Sequence, residues 1–265
     1  NALNFLFTEP LVRAGHGHLH LRIDDLDRER VRPAYVDNIF ATLQWLGIRW
    51  DSGPRDAADF AACHSQHLRL ALYAELLGCL AAVPGLVYAC TCSRAQVAAT
   101  AGPDGRYAGT CRHKALPLDT PGAAWRVCTA ADPAPVRFAD GLLGPQALDV
   151  AALVGDFVIR KKDGLPAYHT ASLADDVADR MTLIVRGLDL LPSTAAQLWL
   201  ARQAGPPWAV VFGAVRFWHH PLVLAPDGGK ISKSQQTPLD KGALHDPALT
   251  PAALRARVAG WRFFS

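Results

Sequence analysis

The chain has 265 residues, of which 50% are hydrophobic and 19% are charged, and its formal net charge is only +3. Such a length can bury a sizeable core in one large domain, or in a core with one insertion. The most apolar stretch, residues 68–86, is interrupted by Arg69, Glu75 and Pro84, so the sequence predicts no membrane-spanning helix. The basic residues are dispersed, so the charge alone does not indicate a nucleic-acid partner.

Six cysteines are spread along the chain, and two of them, Cys90 and Cys92, form a tight pair. The sequence shows no secretory signal, which favours metal ligands or free thiols over a disulfide framework. We therefore expect a protein of the reducing cytoplasm. Cys63, Cys79 and Cys128 lack the spacing of metal ligands and are predicted to be small core residues.

The first half of the chain predicts helices and strands in alternation. Leu3, Phe7 and Leu11 are spaced for one helical face, and the alternating run 18–24 predicts a strand after that helix. A helix followed by a strand is typical of an α/β fold. Further predicted elements are helices over 33–46 and 65–80, a loop over 50–59 and a strand over 87–92.

The second half begins with a segment of different composition. Residues 90–144 are rich in Gly, Pro and Ala, which predicts a small insertion. Residues 157–160 and 165–170 predict two strands joined at Asp163-Gly164, a common hairpin signal. The remaining predicted elements are a strand over 182–185, a helix over 193–203 with Ser193 as its N-cap, and a helix over 251–261.

A loop suited to phosphate binding lies at residues 227–234, with the sequence DGGKISKS. Glycines let the backbone approach anionic oxygens, Ser232 can donate a hydrogen bond, and Lys230 and Lys233 supply positive charge. Taken alone, a pair of lysines at this spacing is also compatible with a solvated surface turn.

The KISKS string resembles the KMSKS signature of class I aminoacyl-tRNA synthetases. The resemblance implies an α/β fold with a Rossmann-like nucleotide-binding core. It also implies that Lys230 and Lys233 are catalytic residues that hold the ATP phosphates with Ser232, with Mg²⁺ as a cofactor. In that family a HIGH signature precedes the first helix, so Asn1 is expected to be its last residue, with the first strand missing from this sequence.

Two further segments resemble the glutamyl members of this class. Residues 22–27, RIDDLD, resemble their R-I-E-D-x-D element, and residues 168–191 resemble their Y-x-x-A-x-x-x-D-D and V-I-R-G-x-D-x-L elements. The resemblance implies that Asp24 meets the α-ammonium of L-glutamate, while Tyr168 and Arg186 orient its carboxylates. The family commonly has Glu where this chain has Asp24, which shortens the side chain by roughly 1.5 Å and weakens the assignment of the amino acid.

The tight cysteine pair is followed by Tyr107 and Cys111, and thiolates at this density suit a tetrahedral zinc ion. The segment also resembles the glutamyl-queuosine tRNA(Asp) synthetases, with C-x-C followed by Y-x-G-x-C. That resemblance implies structural zinc held by Cys90, Cys92, Tyr107 and Cys111. His113 is an alternative fourth ligand, and a cluster of free thiols is the alternative to a metal site.

The sequence therefore predicts four regions: a first part of the core over 1–89, a zinc-containing insertion over 90–150, a second part of the core over 151–234, and a helical tail over 235–265. The chain ends soon after KISKS, so no anticodon-reading domain is expected. We predict an ATP-dependent ligase that attaches glutamate to queuosine of tRNA(Asp), acting as a monomer. The alternatives are a truncated glutamyl-tRNA synthetase that charges tRNA(Glu), and a non-catalytic, zinc-containing, tRNA-binding paralogue.

Overall fold

The structure is a computed structural model that describes residues 2–27, 33–102, 105–222 and 249–261. The chain divides into two compact units. The first unit comprises Asn1–Arg69, Val185–Leu188 and His220–Ser265, and the second comprises Leu70–Ile184 and Asp189–His219. The KISKS loop, with Lys230, Ser232 and Lys233, lies outside the described residues.

The described residues form both helices and strands, with four α-helices before the first strand. The α-helices are α1 Ala2–Ala14, α2 Pro33–Trp45, α3 Ala57–Asp59, α4 Leu70–Ala81, α5 Arg94–Thr100, α6 Val150–Leu153, α7 Tyr168–Ala178, α8 Leu191–Ala204, α9 Trp208–Gly213 and α10 Pro251–Val258. The strands are β1 Val87–Cys90, β2 Ala124–Val127, β3 Val136–Asp140, β4 Gly144–Leu148, β5 Val158–Arg160, β6 Leu183–Gly187 and β7 Arg216–His220. This is a mixed α/β architecture, as the sequence predicts.

In the first unit the helix nearest the C-terminus packs on the first helix. Helix α10 begins at a side-chain cap, since Thr250 Oγ1 accepts from the Ala253 backbone N–H at 3.1 Å. Its Leu254 and Val258 are buried, and the helix contacts α1. The Trp261 ring then lies 5.2 Å from that of Phe7. Burial of apolar side chains therefore fixes α10 on α1.

The strands of the described residues form two sheets. One is antiparallel, with the strand order β1-β2-β5. The other has the order β4-β3-β7-β6, with β3 antiparallel to β4 and parallel to β7. Helices α7, α8 and α9 contact one another, and their core includes the fully buried rings of Trp199, Trp208 and Phe212.

The structure corrects two predicted strands. Residues 18–24 form no ladder and make only an isolated bridge between His20 and Ser52. The segment that pairs with them contains Ser52 and turns at the next residue, Gly53, which has a φ of +100°. A Cβ at Gly53 would clash with the Leu21 backbone oxygen. Residues 165–170 likewise make only one bridge, because Pro166 lacks an N–H for a ladder and α7 begins two residues later.

Three helical details also differ from the sequence prediction. The helix predicted over 65–80 is a 3₁₀ helix, Gln66–Arg69, followed by α4. Helix α8 begins at Leu191 rather than after Ser193, because Pro192 fits the first turn, where its missing N–H has no partner in any case. Cys63 is exposed rather than a core residue, since it lies on the outer face of the π-helix Phe60–His64.

The division of the chain into the four regions 1–89, 90–150, 151–234 and 235–265 stays a prediction.

Candidate functional site

The acidic turn over residues 22–27 lies in the first unit and presents two neighbouring carboxylates in different environments. Asp25 is buried, and its two oxygens accept from Ser65 Oγ at 2.5 Å and from the Gln66 backbone N–H at 2.8 Å. The Asp24 side chain is 42% exposed, and its Oδ1 accepts from Arg22 Nε at 2.9 Å. Asp24 is therefore the carboxylate that a solute can reach.

An apolar cluster fixes the position of this turn. The cluster consists of buried Ile23, Val36 and Phe60. Ile23 directly precedes Asp24 in an extended segment, where successive side chains point to opposite sides. Because the Ile23 side chain is buried, the Asp24 side chain points toward solvent. The alternation of apolar and polar residues thus places the acid on the outside of the first unit.

Two histidines of the preceding segment bond to a neighbouring hydroxyl. His18 Nε2 and His20 Nδ1 each lie 2.8 Å from Ser52 Oγ. A hydroxyl has one proton, so at least one of the two rings must donate to it. His18 and His20 thus tie two chain segments together.

The other residues assigned to glutamate by resemblance lie on regular elements. Arg186 is in β6, in the part of the strand that belongs to the first unit, and is 7% exposed. Tyr168 is in the second unit and is the first residue of α7, with 44% exposure. An accessible tyrosine hydroxyl and a guanidinium are groups that bind carboxylates. Their roles toward glutamate stay predictions.

The four groups predicted as zinc ligands, three cysteines and a tyrosine, converge in the second unit. The sulfur atoms of Cys90, Cys92 and Cys111 all lie within 4.8 Å of one another. The Tyr107 hydroxyl lies 3.3 Å from the sulfur of Cys90 and 3.5 Å from that of Cys92, and it accepts from the Cys111 backbone N–H at 2.9 Å. His113 is exposed and outside this cluster, so the geometry favours Tyr107 as the fourth group.

The fold of the loop explains why these groups meet. Gly109 has a φ of +76°, a left-handed conformation that favours glycine, and it turns the chain between Tyr107 and Cys111. On the other side, Cys90 ends β1 and Cys92 follows it by two residues. A strand end and a glycine turn therefore bring together ligands that are far apart in sequence.

The thiols of the cluster differ in acidity. Burial by itself raises the pKa of Cys111, but hydrogen bonds from Tyr107, the Thr91 backbone and the other two cysteines outweigh it and lower the pKa to about 6. Burial is also the main cause that raises the pKa of Cys92 and that of Tyr107. One sulfur of the cluster thus favours the thiolate form, the form that ligates metals.

Comparison with known proteins shows the family. The model of the family described as "tRNA synthetases class I (E and Q), catalytic domain" matches residues 2–260 of this chain. The chain belongs to this family. It is therefore a class I aminoacyl-tRNA ligase of the glutamate and glutamine group, as its KISKS and RIDDLD segments predict.

Curated relatives within this family are named Glutamyl-Q tRNA(Asp) synthetase. The protein of that name from Bordetella bronchiseptica is 41% identical over 237 residues, which cover 86% of this chain and 68% of the relative. The one from Nitratidesulfovibrio vulgaris is 33% identical over 271 residues, covering 98% of this chain and 80% of the relative.

Solved structures of the same class share the fold. A glutamate-tRNA synthetase from Elizabethkingia anophelis matches 88% of this chain with a TM-score of 0.69 and 25% sequence identity. A glutamate tRNA ligase from Elizabethkingia meningosepticum, in complex with its amino acid, matches with a TM-score of 0.67. The chain spans about half the length of these structures, 49% and 48%.

Within this class I chain, an arginine that the sequence analysis did not single out lies beside the cysteine cluster. The Arg126 guanidinium lies 4.0 Å from the centre of the Tyr107 ring. Its Nη1 donates to the Asp156 backbone oxygen at 3.0 Å. Sequence spacing gave no signal for it, because β2 pairs with β5 through contacts that are distant in the chain.

A buried aspartate connects the cysteine loop to the sheet. Asp156 Oδ2 accepts from Arg112 Nε at 2.8 Å and from the Tyr88 hydroxyl at 2.6 Å. Its Oδ1 accepts from the Thr129 backbone N–H and hydroxyl, at 3.0 and 3.1 Å. Since Arg112 directly follows Cys111, this carboxylate anchors the loop that carries the last cysteine.

None of the helices in the described ranges combines the length and the hydropathy needed to cross a bilayer.

Proposed function

We propose that this chain activates L-glutamate with ATP and transfers it to the queuosine base of tRNA(Asp). The observation that carries the proposal is the similarity to proteins named Glutamyl-Q tRNA(Asp) synthetase, at 33% identity over 98% of the chain in one case and 41% over 86% in another. The accessible Asp24 in the acidic turn supports it, because an amino-acid site needs an anion for the substrate ammonium.

In the first step the glutamate α-carboxylate attacks the α-phosphate of ATP, which forms glutamyl-adenylate and releases pyrophosphate. The protein supplies position and charge rather than a nucleophile. Asp24 accepts the substrate ammonium, while Tyr168 and Arg186 bind its carboxylates. Lys230 and Lys233, with Ser232 and Mg²⁺, offset the charge on the phosphates. In the second step the RNA acceptor attacks the activated carbonyl and AMP leaves.

The cysteine cluster supports a structural zinc ion in the proposed enzyme. Tetrahedral zinc with bonds of about 2.3 Å to sulfur and 2.0 Å to oxygen places its sulfurs about 3.8 Å apart and a phenol oxygen about 3.5 Å from each sulfur. The Cys92 and Cys111 sulfurs are 3.5 Å apart, and the Tyr107 oxygen is 3.3 and 3.5 Å from two sulfurs. The present groups therefore fit the ion.

Such a zinc ion would cross-link the loop and leave no open position for water. Cys90, Cys92 and Cys111 with Tyr107 would complete a closed ligand set. Its contribution is to the stability of the second unit rather than to the chemistry of acyl transfer.

The proposed acceptor is tested by transfer of labelled glutamate with the complete gene product. Label should enter tRNA(Asp) that carries queuosine and should not enter the same tRNA without queuosine. The product should survive removal of the 3′-terminal adenosine. Charging of tRNA(Glu) that depends on its terminal adenosine would instead show a glutamyl-tRNA synthetase, the activity named for the solved structures of similar fold. Absence of any glutamate-dependent reaction would support the non-catalytic alternative.

A further inference from the structure

The turn that carries Asp24 is held by a residue from the following 3₁₀ helix. Gln66 is 3% exposed and uses both its side chain and its backbone on this turn. Its Oε1 accepts from the backbone N–H of Asp25 at 3.0 Å and of Leu26 at 3.3 Å. Its own backbone N–H donates to Asp25 Oδ1 at 2.8 Å. Each segment therefore satisfies the backbone of the other with a side chain.

Asp25 and Ser65 complete this arrangement. The Ser65 hydroxyl donates to Asp25 Oδ2 at 2.5 Å and accepts from the His67 backbone N–H at 3.2 Å. Both oxygens of the buried Asp25 carboxylate are thus occupied. We call Asp25, Leu26, Ser65 and Gln66 the Gln66 clamp. Because its groups are buried, each lost hydrogen bond would leave a poorly solvated polar group.

The clamp also fixes which way the Gln66 amide points. The reversed amide would aim N–H groups at the N–H groups of Asp25 and Leu26, so Oε1 must face them and Nε2 must face away. In this orientation Nε2 lies 3.4 Å from Asp24 Oδ1, the oxygen that also accepts from Arg22 Nε at 2.9 Å. Asp24 is therefore approached by two donors while it stays open to solvent.

We propose that Gln66 is a positioning residue for the amino-acid site, which fixes the turn at Asp25 and Leu26 and so holds the Asp24 carboxylate where the substrate ammonium meets it. This inference rests on the proposed activation of glutamate. Gln66 acts through Asp24. The short side chain of Asp24 makes such support more important, because it has little reach with which to compensate for a displaced backbone.

Loss of the clamp should displace the turn without unfolding the unit. The opposite side of the turn stays anchored, because Ile23 is buried with Val36 and Phe60. A displaced Asp24 weakens the interaction with substrate in the ground state and in the transition state alike, and such a loss raises KM while kcat changes little.

The test is ATP–pyrophosphate exchange with the complete gene product and its Gln66→Met variant. Methionine has a similar length and flexibility but cannot accept from the two N–H groups. The KM for glutamate should rise about tenfold, the effect of one positioned hydrogen bond to a charged group, while kcat stays within about twofold. The KM for ATP should not change. Ser65→Ala, a milder change that removes one hydroxyl, should raise the KM for glutamate about threefold.

A matched control lies in the second unit. Gln203 Nε2 donates to Asp132 Oδ2 at 2.5 Å, so Gln203→Met removes an amide-to-carboxylate contact far from the acidic turn in sequence. It should leave both KM values unchanged. Melting temperatures are measured for every variant, and Ser65→Ala carries the test if Gln66→Met does not fold.

The outcomes separate the two levels of the proposal. Exchange by the wild type, together with an unchanged KM for glutamate in Gln66→Met and Ser65→Ala, would overturn the positioning role, even if both variants melt earlier. A wild type without glutamate-dependent exchange would overturn the proposed function and this inference with it.

Discussion

The hydroxyl of Tyr73 lies 3.0 and 3.1 Å from the two carboxylate oxygens of Asp175, in the interior of the second unit. Tyr73 is 1% exposed, and Asp175 is fully buried. The bond joins α4 to α7, two helices that also contact each other. Asp175 belongs to the Asp-Asp pair of the sequence element over residues 168–191. At least this member of the pair is thus buried among the helices.

Tyr73→Phe should destabilise the protein by about 1.5–3 kcal/mol, because it removes a hydrogen bond to a buried carboxylate. Chemical denaturation would measure the free energy of unfolding. Tyr35→Phe, at a position with 40% exposure in α2, is the control and should change the free energy by less than about 0.5 kcal/mol. Equal values for the two variants would contradict a stabilising role for the Tyr73 bond.

A second buried carboxylate predicts a dependence of stability on pH. Asp140 Oδ2 lies 2.6 Å from His219 Nδ1, and the other ring nitrogen lies 2.9 Å from the Thr194 hydroxyl. Burial alone raises the pKa of Asp140, but hydrogen bonds from His219 and from the Leu142 and Leu143 backbones outweigh it and hold the pKa below 3.8. Thr194, His219 and Asp140 follow the order of a catalytic triad, but all three are buried.

Since the folded-state pKa of Asp140 is depressed, its contribution to stability is complete above the unfolded-state pKa of about 3.9 and is lost as the pH falls through the lower folded-state value. Asp140→Asn should therefore lose less stability between about pH 5 and pH 3 than the wild type does. Urea denaturation at several pH values measures this. Asp119→Asn, at an exposed position of the same unit, should keep the wild-type slope.

Protein purified without added metal should contain one zinc ion per chain, and Cys111→Ser should lose it. The reason is that a serine hydroxyl is a poor substitute for a thiolate ligand. Metal analysis and the melting temperature are the measurements, and the melting temperature should fall in the variant. Cys63→Ser, at an exposed cysteine outside the cluster, is the matched control. Folded, active wild-type protein with less than about a tenth of an equivalent of zinc would refute the assignment.

Lys233→Ala should depress glutamate-dependent ATP–pyrophosphate exchange by about 10² or more, because the lysine offsets charge that develops on the phosphates. Lys162→Ala, which removes an exposed lysine bonded to a backbone oxygen in the second unit, is the control. A well-folded Lys233→Ala variant with normal exchange would remove this lysine from its proposed role.

The amino acid itself should follow the order glutamate above aspartate and glutamine in the same exchange assay. By resemblance, Arg186 and Tyr168 bind the second carboxylate of the substrate. They are poorly paired when the amide of glutamine or the shorter side chain of aspartate takes its place. A preference for glutamine would contradict the proposed substrate, and Asp24 would then need a different role.

Much of the helical fold could be predicted because apolar spacing and caps are local. Helix α2 was predicted within one residue of its observed end, and α10 begins at the predicted Pro251. Strand pairing was harder to predict from the sequence. The run before Asp24 alternates as a strand does, yet its pairing stops at one bridge because of the conformation of Gly53, more than 30 residues later.

The candidate site shows the same division. The proximity of the cysteines and Tyr107 could be predicted because their spacing matches a family element, and the fold brings them together. Gln66 and Arg126 could not, because their importance lies in contacts with segments distant in sequence. A polar residue in a predicted helix gives no sign of which backbone groups it satisfies.

The packing of Trp261 has a consequence for the segment that carries the lysines. The His220 ring stacks on the Trp261 ring at 4.5 Å, and the Phe7 ring meets Trp261 edge-on. His220 and Trp261 flank the segment with the lysines in sequence, and their stacking holds the two ends of the intervening chain together. Because the entropy of closing a loop grows only logarithmically with its length, insertions between these end points change its free energy by only about 0.6 kcal/mol per doubling. Changes in the length of this segment are therefore expected to cost little stability, provided that the contacts among Phe7, His220 and Trp261 are kept.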